Sequence, residues 1–217
     1  MSIKKLLSYI FDIPIEKAQS RFSGEIEVSL CEGQYKLSTK NAIYSFGKNY
    51  TSFDVAFKSI DIQNQQIETV LVLGFGLGSV VDLLENHSTI KQIIAVDADQ
   101  VIIDLAKKYL QSGLKNKTNF VCDDAAKYVY QAQQKFDLVL FDVFIEDETP
   151  IPFMQKDFLI ALKKNINKNG ILLFSKIDDS NKSKIENVQF ESVFTTVFQH
   201  SFSINTDGNK VFAWINN

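Results

Sequence analysis

Hydrophobic residues follow two rhythms along this chain, and the change falls near residue 62. Beyond it come near-continuous apolar runs at residues 69–73, 92–97, 118–122, 137–142 and 170–176. Such runs predict parallel strands buried on both faces. Between and after them, residues 78–87, 100–111, 125–133, 154–166 and 182–189 carry helical spacing. Asn169-Gly170 reads as a helix stop before the fifth strand. The tail departs from this alternation, with a β-like run at 193–204, a turn at Thr206-Asp207-Gly208-Asn209 and a last strand at 211–215. Two runs joined by a tight turn predict an antiparallel hairpin.

Ahead of residue 62 the runs are shorter. Residues 25–31, 34–39 and 42–46 read as β, with turns at Glu32-Gly33 and Lys40-Asn41. Residues 2–11 and 50–62 have helical character, the latter through Phe53, Ala56, Phe57 and Ile60. The expected layout is an N-terminal helix and small antiparallel element over 1–62, then an α/β domain over 63–217.

Composition narrows this picture. Apolar residues make up 45% of the 217, enough for a full core, and eighteen Phe predict an aromatic one. The net charge is −3 and Arg21 is the sole arginine, which argues against a nucleic-acid footprint. Cys31 and Cys122 have no metal-ligand spacing and read as buried free thiols of a reducing compartment. No apolar run approaches the ~20 residues of a membrane span. The apolar N-terminal stretch is too short for a signal peptide and runs into Asp12 and Pro14, so a cytoplasmic protein is expected.

The candidate chemistry sits at the strand ends. Val70-Leu71-Val72-Leu73 runs into Gly74, Gly76 and Gly78, with Phe75 and Leu77 between. Glycines after a strand let a ligand approach the backbone, and a following helix start offers free N–H groups. Ser79 breaks the dinucleotide pattern GxGxxG. Asp97, followed by Ala98, closes the second strand where an acid can take both ribose hydroxyls. Asp99 fits the cap of the next helix. Of Asp123 and Asp124 after the third strand, one caps a helix; Asp124 is the stronger candidate to meet an adenine amino group, with the small Ala125 leaving room for the ring. Asp142 closes the fourth strand, next to the first, where a carboxylate could take a proton from an amine or hydroxyl. Glu146, Asp147 and Glu148 could attract a cation but read first as a solvated loop; His87 and His200 stand alone, and no metal site is expected.

Together these pieces resemble the class I methyltransferase fold and, within it, the spermidine-synthase-like branch. The likeness rests on Val70 to Gly78, Ala95 to Asp99 with Ile103 to Tyr109, Asp124 before Tyr128-Val129, and Phe136 to Asp142 continuing to Pro152 and Phe158. It implies a Rossmann-like, seven-stranded, mostly parallel sheet ending in an antiparallel hairpin, with a small N-terminal β element. It also implies S-adenosylmethionine or its decarboxylated form as cofactor, and commonly a homodimer. By position, Gly74 and Gly76 would line the cofactor, Asp97 hold the ribose, Asp124 meet the adenine and Asp142 serve as catalytic acid. Phe75, Gly78, Ala98 and Ala125 complete the expected cofactor site. The chain departs from the branch at Leu77 and Ile145, where the family usually has Asp, and at Tyr44 and Phe53, which replace a Gln and a Tyr that grip the polyamine. The reading expected first is therefore methyl transfer to a small-molecule acceptor, a cationic one being one possibility. Aminopropyl transfer is the alternative, a catalytically silent nucleoside-binding protein the third reading, and an NAD enzyme the fourth.

Overall fold

The computed structural model describes residues 3–40, 42–146 and 148–217, and these form two sheets. After a short helix α1 (Ile3–Leu7) comes an antiparallel meander of β1 (Ile13–Ser20), β2 (Gly24–Cys31), β3 (Gln34–Ser38) and β4 (Ile43–Ser45). β1 goes beyond the strands expected from periodicity. It is an edge strand that buries little besides Ser20, carries Glu16, Lys17 and Gln19, and takes up Pro14 at a register shift. Edge strands tolerate proline and polar residues, so they leave a weak apolar signal. Asn41, in one of the expected turns, lies outside the described residues.

The second sheet has seven strands in the order β10-β11-β9-β8-β5-β6-β7. In chain order its elements are α2 (Thr51–Ser59), β5 (Thr69–Leu73), α3 (Ser79–Leu83), β6 (Gln92–Asp97), α4 (Gln100–Tyr109), β7 (Thr118–Cys122), α5 (Ala125–Gln131), β8 (Phe136–Phe141), α6 (Lys156–Lys164), β9 (Ile166–Ile177), α7 (Asn181–Val197), β10 (Phe202–Asn205) and β11 (Asn209–Ile215). β5 pairs in parallel with both β6 and β8, and β11 runs antiparallel to β9 and β10. The expected α/β fold with its terminal hairpin is present. The chain order reverses beside β5, so the ends of β5, β6 and β8 open onto one crevice.

Two expectations are corrected. Residues 193–197 belong to α7 rather than to a strand. Their β-branched residues favour a strand locally, but Phe190, Phe194, Val197 and Phe198 recur at helical spacing and all face the core. Packing overrides local propensity there. Asn169-Gly170 does not end a helix. It lies inside β9, where Asn169 takes a positive φ of 63° and the register against β8 shifts.

The core is aromatic, as the eighteen Phe predict. Phe141 and Phe174 stack with centroids 4.0 Å apart, and Phe190, Phe194, Phe198 and Phe212 extend the cluster to Trp214. Burying each ring contributes roughly 2–3 kcal/mol by area. On the opposite face of the sheet, α2 buries Phe53, Ala56 and Phe57 in the cluster that holds Val70, Val72 and Val211. Cys31 is half-buried and Cys122 exposed, so the thiols are free but not buried as expected.

Candidate active site

The turn after β5 is a crowded passage between the two sheets. A Cβ at Gly74, whose φ is +81°, would collide with the Asp142 backbone carbonyl. One at Gly76, φ +53°, would stand 2.9 Å from the Tyr44 carbonyl oxygen. Glycine is required by both conformation and space. Side chains in this turn alternate. Gly74 and Gly76 line the cavity, while Phe75 and Leu77 are buried elsewhere, Phe75 edge-on to Phe120 and Leu77 among Ile26, Val28 and Leu37 of the small sheet. Gly78 has become the N-cap of α3. Phe75 and Gly78 thus stand off the cavity wall, against expectation. Ser79 ties the sheets together: its hydroxyl bonds Ser45 Oγ at 2.5 Å and accepts from the Phe46 N–H at 2.9 Å.

The cavity opens beyond the ends of β5, β6, β7 and β8. It is walled by Gly74, Gly76, Asp97, Ala98, Asp124, Ala125 and Asp142, so seven of the nine expected residues converge on it. From β7 to β8 is three strand spacings, roughly 14 Å, which suits an extended adenosyl group with a short tail.

At the β6 end, Asp97 is held by the backbone. One carboxylate oxygen accepts from the Phe75 N–H at 3.1 Å, the other from the Asp99 N–H at 2.9 Å. Burial raises its pKa, while these N–H groups oppose the rise. Asp99 caps α4 as expected, accepting from the Val101 N–H, and its second oxygen takes a 2.5 Å bond from Ser20. At the β7 end both candidate acids are engaged. Asp124 caps α5 through the Lys127 N–H, and Asp123 pairs with the Lys127 ammonium. Asp124 lines the cavity and Asp123 does not.

At the β8 end, Asp142 Oδ2 accepts from the Tyr50 hydroxyl at 2.8 Å. Oδ1 is buried with no hydrogen-bond partner. Burial pushes the Asp142 carboxyl up to about 7, with Tyr50 and Ser175 opposing the rise. Burial beside Asp142 also holds the Tyr50 phenol well above its ordinary range. A buried acid near neutrality is suited to proton transfer.

Tyr50 is a residue of the cavity wall that the sequence reading missed. It sits just before α2 and reaches the site because α2 packs beneath the sheet. Phe53, three residues on, is fully buried in that packing and does not line the cavity. Tyr44 does line it, and its hydroxyl bonds Ser23 Oγ at 2.7 Å and the Glu146 N–H at 3.0 Å. This strap holds the loop after β8 against the small sheet. In that loop Glu148 pairs with Lys182, and Asp147 lies outside the described residues. His87 is a buried structural residue bonded to the Ile62 carbonyl and Thr89. Among the described residues no His, Cys, Asp and Glu cluster could hold a metal.

Residues 56–206 match the spermine/spermidine synthase domain. The chain belongs to that family. Over 112 residues it is 36% identical to the polyamine aminopropyltransferase of Sulfurisphaera tokodaii, covering 48% of this chain and 37% of that one. Over 152 residues it is 28% identical to that of Vibrio vulnificus, covering 68% and 50%. The chain thus spans at most half the length of these curated relatives. Among solved structures, a probable spermidine synthase from Corynebacterium glutamicum has a TM-score of 0.75 at 16% identity, covering 94% of this chain and 80% of that one. Spermidine synthase from Thermotoga maritima has a TM-score of 0.71 at 15% identity, covering 94% and 73%. These likenesses confirm the expected fold.

Proposed function

We propose that this chain transfers an aminopropyl group from decarboxylated S-adenosylmethionine to a small amine, with Asp142 as general base. The observation that carries the reading is the charge of the cavity. Its wall holds Asp97, Asp99, Asp124 and Asp142, and among the described lining residues no Lys, Arg or His. The decarboxylated donor presents a sulfonium and an ammonium. S-adenosylmethionine adds a carboxylate that would find no cation on this wall. Beside ionised Asp142 it would meet repulsion of about 4 kcal/mol at 4 Å with an effective dielectric near 20. Family membership favours the same donor, so methyl transfer, expected first from the sequence, takes second place.

The residues present fit the donor. Gly74 and Gly76 leave the turn open to a nucleoside, Asp97 offers carboxylate oxygens to the ribose, and Asp124 with Ala125 lines the adenine end. Bound there, the donor supplies a carbon on a sulfonium: the amine lone pair forms the C–N bond as the C–S pair leaves to sulfur, giving methylthioadenosine. The Asp142 carboxylate takes the proton that the amine nitrogen loses, and the Tyr50 hydroxyl holds that carboxylate in place while it does so. Positioning accounts for most of the acceleration.

The proposal extends to a cytoplasmic protein with no nucleic-acid partner. Among the described residues no helix is long and apolar enough to cross a membrane. A homodimer through the exposed Ile3, Leu6, Tyr9, Ile10 and Phe11 is part of the reading, and sedimentation of the F11D variant beside the unaltered chain tests it. The activity is tested by incubating the chain with the decarboxylated donor and a panel of amines. Methylthioadenosine and an aminopropylated amine are expected in equal amounts; the absence of both sinks the reading.

A further inference from the structure

The two ends of the cavity differ in charge, and this bears on the acceptor. Asp97, Asp99 and Asp124 all lie towards the ends of β6 and β7, where the nucleoside fits. Beyond Asp142, the described wall is Tyr44, Tyr50, Val143, Phe144, Ile145 and Phe153. None of these carries a charge. The Tyr50 proton is committed to Asp142, and the Tyr44 hydroxyl to Ser23 and Glu146. Among the described lining residues at this end, Asp142 is the only acid.

We propose that the acceptor is a primary amine on an apolar body, aliphatic or aromatic, used in preference to a diamine. The inference rests on the amine-transfer reading above. One amine nitrogen meets the Asp142 carboxylate, and the body behind it lies against the aromatic and aliphatic wall. A second ammonium would be desolvated there with no further carboxylate among the described lining residues to meet it, which disfavours a diamine. Apolar bodies of matching size gain from the same wall.

The full chain, saturated with methylthioadenosine, is titrated calorimetrically with 2-phenylethylamine, hexylamine and 1,4-diaminobutane. Transfer is followed in parallel as methylthioadenosine release from the decarboxylated donor. Dissociation constants and kcat/KM are both expected to favour the monoamines by at least about tenfold. The variant Ile145→Asp, on an exposed part of the loop wall, adds a carboxylate at this end. It is expected to shift the preference towards the diamine by about fivefold. Equal or better use of the diamine by the unaltered chain overturns the inference and leaves aminopropyl transfer standing. Preferential monoamine binding without transfer overturns the amine-transfer reading, and with it the monoamine's role as acceptor, while the preference of this end of the cavity for a monoamine stands. Binding of none of the three amines overturns the inference, and failure of methylthioadenosine itself to bind overturns both.

Discussion

Asp97 and Asp142 close β6 and β8, the two parallel runs that flank β5, in the same way, yet their surroundings give them different chemistry. Asp97 has both oxygens occupied by backbone N–H groups of the turns it stabilises. Asp142 has one oxygen on a phenol and the other buried without a hydrogen bond, with the Ser175 side chain near enough to oppose the rise in its pKa. The first is a fixed acceptor that anchors the glycine turn and can still meet a ribose hydroxyl. The second is lifted to about 7 by burial, which suits it to the base that the proposed transfer requires. The apolar run ending in Asp is the same signal at both places. What divides holder from base is the number of donors that tertiary packing brings to each carboxylate.

The sharpest way to break this division is to remove each acid. Asp142→Asn is expected to lower methylthioadenosine release by about 10³-fold while weakening donor binding far less, as steady-state rates and calorimetry would show. Asp97→Ala is expected to do the opposite, weakening donor binding by about 100-fold with a far smaller change in kcat.

Stability separates the two acids as well. The Asp142 carboxyl ionises at 3.8 in the unfolded chain and near 7 in the folded one, so the folded state binds more protons between these values. Its contribution to stability is full below pH 3.8 and is lost as pH rises through about 7. Asp142→Asn removes that loss and is expected to raise stability at pH 8 by up to about 4 kcal/mol, with little gain at pH 4. Asp97→Ala leaves two N–H groups without their acceptor and is expected to cost about 1–3 kcal/mol in denaturant unfolding.

A finer probe is Tyr50→Phe. The phenol lowers the Asp142 pKa, so its loss should move the midpoint of the pH–rate profile to higher pH by about one unit. A midpoint that stays in place would show that Tyr50 does not tune the base. The smallest effect is expected from Asp124→Ala, with the loss of the α5 cap costing about 1 kcal/mol and donor affinity falling only a few-fold.

Much of this arrangement was legible in the sequence because β5, β6 and β8 are buried on both faces and cannot hide their apolar runs. The acids at their ends were legible for the same reason. β1 left little trace because one edge strand can be half polar. The start of the terminal hairpin was misread because β-branched residues in α7 are held helical by aromatic packing. Within the glycine turn, alternation explains which residues reach the ligand side. Gly74 and Gly76 do, whereas Phe75 and Leu77 turn into the cores. Tyr50 was not legible at all. Its role depends on α2 lying under the sheet, a contact between segments that no local pattern records.

The central claim is that the acidic cavity selects the decarboxylated donor and hands its aminopropyl group to an amine at Asp142. It is tested most directly by offering both donors at equal concentration in one mixture with hexylamine, each carrying a distinct isotopic label in its adenosine. Mass spectrometry then reads the thioether products. The account predicts labelled methylthioadenosine from the decarboxylated donor, dependent on Asp142, and no S-adenosylhomocysteine. S-adenosylhomocysteine with a methylated amine, and no methylthioadenosine above the enzyme-free control, would contradict it.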